Sequence, residues 1–120
     1  IPVWMGSGGS DAVLKRVARL ADGWLPLFVP GLDTLTVGDS IRRLRQICED
    51  MGRDPATMPI HGRAYLGPNW EALAAEAVEL GCTHFSLGFN RMADRDAPFR
   101  KHLDAVIEAK PRLDAIVGGA

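Results

Sequence analysis

A chain of 120 residues with 47% hydrophobic content suits one small domain that can bury a genuine core. Fourteen basic and fifteen acidic side chains leave a net charge of −1, without the basic excess of a nucleic-acid binder or the acidic run of a disordered tail. The sequence shows no 18-residue apolar span and no signal-peptide pattern, so a cytoplasmic protein without membrane contact is expected.

The chain reads as four strand-then-helix units. The first pairs a short apolar strand, residues 1–5, with a helix over residues 11–21 whose stripe is Val13, Leu14, Val17, Ala18 and Ala21. Between them lie Gly6, Ser7, Gly8, Gly9 and Ser10. A loop of small residues that feeds a helix aims bare backbone N–H groups at one point, where the positive end of the helix dipole adds to them. Glycines allow close backbone approach, and Ser7 and Ser10 can add hydroxyl donors, so the loop is a candidate anion seat. The plainer alternative is a strand-to-helix turn in which Ser10 only caps the helix.

The second unit pairs a strand over residues 23–29 with a helix that ends near Met51. Its inner face is expected to be Ile41, Leu44, Cys48 and Met51, and its solvated face Arg42, Arg43, Arg45, Glu49 and Asp50. The third has a strand over 58–66 and a helix over 70–80 with Asn69 as N-cap. The fourth has a strand over 83–89 and a helix over 98–109, with Pro98 in its first turn and a stripe of Phe99, Leu103, Val106 and Ile107. Past Lys110-Pro111 a weakly patterned, fraying tail is expected.

Gly23, Gly52 and Gly81 each follow a helix and lie 29 residues apart, about the length of one βα unit. Each can take the left-handed conformation that stops a helix. Alternating βα units imply parallel strands joined by right-handed crossovers. In the third strand Ile60, Gly62, Ala64 and Leu66 alternate with His61, Arg63 and Tyr65. In the fourth, Phe85, Leu87 and Phe89 alternate with His84, Ser86, Gly88 and Asn90. One apolar and one polar face per strand favours a barrel with a polar lumen mouth over an open sheet covered on both sides.

Other motifs carry less. Cys48 and Cys82 sit among apolar neighbours without metal-ligand spacing and read as buried free thiols, and the three histidines form no ligand pattern. Gly6-Ser7-Gly8 begins like a dinucleotide fingerprint, but Asp11 stands where the third glycine belongs, and no Gly-Lys-Ser/Thr follows for a triphosphate loop. His61, Arg63 and Tyr65 either line a site or join an internal ion network. Asn90 and Arg91, just past the fourth strand, are the better-placed substrate-binding candidates, because barrel sites gather at the C-terminal strand ends. Arg91 could equally be an exposed loop arginine. His84 is expected as an interior histidine, His102 at a helix surface, and Trp4, Trp24 and Trp70 as packing residues.

With these pieces in place the chain resembles the C-terminal half of a luciferase-like monooxygenase. The resemblance is carried by Pro2-Val3-Trp4-Met5-Gly6-Ser7-Gly8-Gly9-Ser10, Ala18-Arg19-Leu20-Ala21-Asp22-Gly23-Trp24-Leu25-Pro26, Gly52-Arg53-Asp54-Pro55 and Glu79-Leu80-Gly81-Cys82-Thr83-His84-Phe85. It covers about residues 1–109. It implies that residues 1–120 are one partial α/β domain, whose four βα units are strands 5 to 8 of a TIM-type (β/α)8 barrel. It also implies oxidoreductase chemistry on FMN or coenzyme F420, with F420 slightly favoured, and a small-molecule substrate. Gly6, Ser7, Gly8, Gly9 and Ser10 would then contact the cofactor phosphate, while the 22–26 and 52–55 segments would be structural. A half barrel leaves sheet edges open, so a second copy or the missing N-terminal half-barrel is the expected partner, and the isolated chain is expected to be inactive. A catalytically inert phosphate-binding half-barrel is the alternative.

Overall fold

In the computed structural model, residues 1–27, 36–89 and 95–118 are described. Their order is β1 (Trp4–Ser7), α1 (Asp11–Leu20), β2 (Gly23–Pro26), α2 (Val37–Asp50), a 3-10 turn (Pro55–Thr57), β3 (His61–Tyr65), α3 (Trp70–Glu79), β4 (His84–Gly88) and α4 (Phe99–Gly118). The alternation of strand and helix expected from the sequence is therefore present. The chain divides into two compact units, Ile1–His61 and Gly62–Ala120.

In the first unit β1 and β2 pair in parallel, with Trp4 opposite Gly23 and Ser7 opposite Pro26. Trp24 also forms a parallel bridge to Ile60, through its N–H on the Pro59 carbonyl at 3.0 Å. α1 and α2 pack on each other and bury most of the faces their periodicity foretells. Leu14, Val17 and Ala18 of α1 and Ile41, Leu44 and Cys48 of α2 are buried, as are Trp24 and Ile60. Met51, expected on the inner face, is instead exposed, and Ile47 is buried in its place. The reason is that α2 stops at Asp50, so Met51 is the cap and its side chain leaves the helical period. Thr36 starts the same helix by accepting the Asp39 N–H.

The three periodic glycines do different jobs. Gly52 and Gly81 have φ of +77° and +72° and end their helices in the left-handed conformation. Gly23 does not; it is the first residue of β2, and a Cβ there would lie 2.5 Å from the Trp4 ring. Gly23 is thus a packing glycine. A Cβ at Gly52 would meet nothing within 4 Å, so Gly52→Ala isolates the backbone cost. We expect a loss of about 1 kcal/mol in denaturant unfolding, with an unchanged dependence on denaturant concentration.

In the second unit β3 is hydrogen-bonded to β4. Gly62 and Ala64 of β3 are buried while Arg63 and Tyr65 are exposed, the alternation expected of a one-sided strand. The core here joins Trp70 to three small residues, Ala64, Ala74 and Ala109, with Leu66, Phe85, Leu87, Leu113 and Ile116 packed against them. Asn69 holds the N-cap position of α3 but makes no side-chain capping bond.

α4 departs most from expectation. It runs through Pro111 to Gly118 rather than ending at Ala109. A proline inside a helix costs about 3 kcal/mol, because it lacks an N–H and crowds the preceding turn. Leu113 and Ile116, packed on the Ala64–Trp70 cluster, offset that cost, and Lys110 and Asp114 form an ion pair across the proline. The expected stripe is not the buried one. Phe99, Leu103 and Ile107 are 69%, 39% and 59% exposed, while Ala109 is buried.

Candidate functional site

The loop after β1 is anchored before it opens. Trp4 lies against the bare backbone of Gly23, which fixes the strand pair. At the end of β1, Ser7 is held twice: its carbonyl accepts the Leu27 N–H at 2.7 Å, and its Oγ accepts the indole N–H of the fully buried Trp24 at 2.9 Å. With the indole occupying an acceptor site, the Ser7 hydroxyl keeps its own proton for donation. Gly6 lies within β1, paired opposite Leu25.

Gly8 is half-buried, Gly9 buried and Ser10 exposed. Ser10 has extended backbone, φ −69° and ψ 148°, and its side chain makes no capping bond, so the capping alternative is not realised. The first intrahelical bond of α1 is Leu14 N–H to the Ser10 carbonyl at 2.9 Å. The N–H groups of Asp11, Ala12 and Val13 therefore have no acceptor within the helix and point out of its N-terminus. This end of the molecule presents backbone donors and two hydroxyls in a short run of chain, a set suited to an anion.

Asp11 modifies the electrostatics. Its carboxylate receives two bonds from Arg43 of α2, from Nε at 2.9 Å and Nη2 at 2.6 Å. The Arg43 hydrogen bond, helped by the charges of Arg43 and Lys15 and opposed by slight desolvation, holds the Asp11 carboxyl below the usual aspartate range. A depressed folded-state pKa contributes stability above the unfolded value, which is lost as pH falls through the folded one. The pair therefore stays ionised at neutral pH, and Arg43 masks a negative charge that would otherwise oppose an anion.

The remaining candidates disperse. Asn90 and Arg91 lie outside the described residues. Arg63 and Tyr65 share the exposed face of β3, where the guanidinium hydrogen-bonds the Tyr65 hydroxyl and lies 5.1 Å from its ring centroid. His84 is exposed, not interior, because it opens β4; its Nδ1 is 2.9 Å from Thr83 Oγ1. His102 is half-buried, stacked on Phe89 with centroids 4.5 Å apart. Cys48 is a buried free thiol, and burial pushes its pKa up; Cys82 is only partly buried. Among the described residues no group of three or more metal-ligating side chains occurs, and no helix is long and apolar enough to cross a membrane.

Two features escaped the sequence. One is the Trp24–Ser7 bond. The other is a groove of about 500 Å³ between α1 and α2, walled by Lys15, Arg16, Arg19 and Arg43 with Asp50 at its side. Each cation was legible as surface charge, but the clustering depends on how the helices pack.

A family model described as luciferase-like monooxygenase covers residues 1–115. No curated protein and no solved structure matches the chain.

Proposed function

This chain belongs to the luciferase-like monooxygenase family, and we propose that it forms the part of a flavin- or F420-dependent oxidoreductase that seats the cofactor's phosphate. Its four βα units are read as the C-terminal half of a (β/α)8 barrel, a reading supported by the parallel β1–β2 pair and the one-sided burial of β3. The observation that carries the assignment is the N-terminus of α1. Gly8, Gly9 and Ser10 bring the chain in without a capping side chain, and the first-turn N–H groups are left for an external acceptor.

The residues present fit a phosphate monoester. Backbone N–H groups of the Gly8–Ala12 stretch would hold its oxygens, Ser7 and Ser10 would donate hydroxyl bonds, and the buried Gly9 leaves the approach clear of a side chain. When bound, the cofactor supplies the redox chemistry. The chain's own part is to bind and orient one end of that cofactor. Asn90 and Arg91 are proposed as contacts for a small-molecule substrate, by their position just past β4.

Titration of the 120-residue protein with FMN and with F420, followed by ring absorbance and fluorescence, tests the seat. Ser10→Glu places a carboxylate among the donors and is expected to weaken binding at least about tenfold. Asp11→Asn removes one exposed charge near the seat and should tighten binding about threefold. Binding that ignores both substitutions overturns the proposed seat. Weak binding that inorganic phosphate competes away, with no change in the ring spectrum, supports instead the catalytically inert phosphate-binding half-barrel.

A further inference from the structure

The α1–α2 groove gathers positive charge that its own walls leave largely unneutralised. Residues 1–61 carry seven Lys or Arg and seven Asp or Glu side chains, so the first unit is balanced as a whole. Four of those cations, Lys15, Arg16, Arg19 and Arg43, nevertheless line one groove of about 500 Å³, beside a single carboxylate, Asp50. Arg43 is engaged by Asp11 through two hydrogen bonds, and Asp50 accepts one from Gln46. Lys15, Arg16 and Arg19 are exposed, and Arg16 and Arg19 form no ion pair with a described residue.

That wall works against its own helix. Lys15 and Arg19 stand at i and i+4, and Arg16 and Arg19 at i and i+3, spacings at which like charges weaken a helix. On α2 and α4 the same spacings hold opposite charges: Arg42 with Asp39, Arg100 with Asp104 and Lys110 with Asp114. Asp11, the sole carboxylate of α1, lies in the first turn and is taken by Arg43. An anion in the groove removes the repulsion and gains charge-assisted hydrogen bonds, two at a time from a guanidinium fork. Lys15 and Arg19 are about 6 Å apart along the helix axis, so the cations form a row rather than closing on one point. A row suits two separated single charges better than one compact, doubly charged phosphate. The remaining lining, Ala12, Ile47 and Met51, is apolar. Met51 is 47% exposed there, because it caps α2. The volume falls within the range of about 300–1,000 Å³ usual for small-molecule sites.

We propose that the α1–α2 groove is a second ligand site, for a small organic dicarboxylate with an aliphatic body. One carboxylate pairs with Lys15 and the other with Arg19, Arg16 adds its fork between them, and the body lies on Ala12, Ile47 and Met51. The site goes beyond the cofactor seat and does not rest on it, since Ser7, Gly8, Gly9 and Ser10 are not among the residues that line the groove. All of its residues belong to the first unit.

Titration of the 120-residue chain with adipate, followed by backbone-amide NMR shifts, is expected to saturate at one site, with the largest shifts in residues 12–19 and 43–51. Hexanoate, the same length with one carboxylate, should bind at least about tenfold more weakly, since it forfeits a charge-assisted pair. Arg16→Gln combined with Arg19→Gln should weaken adipate at least about tenfold for the same reason. Met51→Ser should weaken it about threefold through lost apolar contact. Arg100→Gln, which removes an exposed cation from α4, should leave the affinity unchanged. Circular dichroism confirms that these variants are folded, all four positions being exposed. Ser10→Glu, which disables the seat, should also leave adipate bound, so the two sites fail separately. Equal binding of hexanoate, shifts centred elsewhere, or an affinity indifferent to the double substitution overturns the proposal. So does tighter binding of methyl phosphate than of adipate in the groove, or a titration that never saturates.

Discussion

Trp24→Ala is expected to cost about 3–5 kcal/mol, the range for removing a large aromatic from a core. Trp24 is fully buried, bridges Ile60 through its backbone and carries the indole that holds Ser7. A domain of this size is stable by only about 5–15 kcal/mol, so this single change consumes a large share. Urea unfolding followed by circular dichroism reads it, and a loss under about 1 kcal/mol would show that the indole is not the centre of this core. Trp24→Phe separates packing from polarity. It keeps most of the apolar volume, removes the N–H, and should cost about 0.5–1.5 kcal/mol for the lost hydrogen bond plus a packing remainder. It also frees the Ser7 side chain to rotate, so cofactor titration should weaken while the fold persists.

Arg53→Ala is expected to lose about 1.5–3 kcal/mol, because several hydrogen bonds from one charged group vanish together. The guanidinium Nη1 donates to the carbonyls of Ala18 at 2.9 Å and Ala21 at 2.7 Å, and Nη2 donates to Thr57 at 3.3 Å. The first two are orphan acceptors at the C-terminal end of α1, where a cation also meets the negative end of the dipole. One side chain thereby ties that helix end to the turn after α2. Arg53→Lys should recover only part of the loss, since a point charge cannot bridge two carbonyls and the Thr57 backbone at once. Thermal melts of the three proteins check this, and equal midpoints for Lys and Arg would remove the geometric argument.

The same arginine shows the limit of sequence reading. Gly52-Arg53-Asp54-Pro55 is legible as a helix stop and turn, and so it is: Gly52 is left-handed, and Asp54 caps the 3-10 turn through the Ala56 N–H. Nothing local says that Arg53 reaches back 32 residues to Ala21. Pro111 is the converse case. Local propensity ends a helix there, yet the apolar side chains of Leu113 and Ile116 have a cluster to pack on, and tertiary burial overrides the propensity. The α4 stripe fails for a related reason, since periodicity finds an apolar face without saying which neighbour covers it. In the loop, the run of Gly and Ser was readable as a donor set. Whether Ser10 capped the helix, and which hydroxyl was already engaged, was not.

By itself the sequence determined what depends on near neighbours along the chain. That covers the beat of βα units, most of the buried faces of α1 and α2, the one-sided β3, the left-handed stops at Gly52 and Gly81, and the small-residue loop ahead of α1. Each follows from a period or a turn preference set within a few residues. The tertiary structure alone decided the partners that chemistry needs: Trp24 on Ser7, Arg43 on Asp11, Arg53 on the end of α1, and Trp4 on Gly23. These contacts join residues 17 to 35 positions apart. Side-chain reach and packing select such partners only after the elements have docked, so no local pattern encodes them.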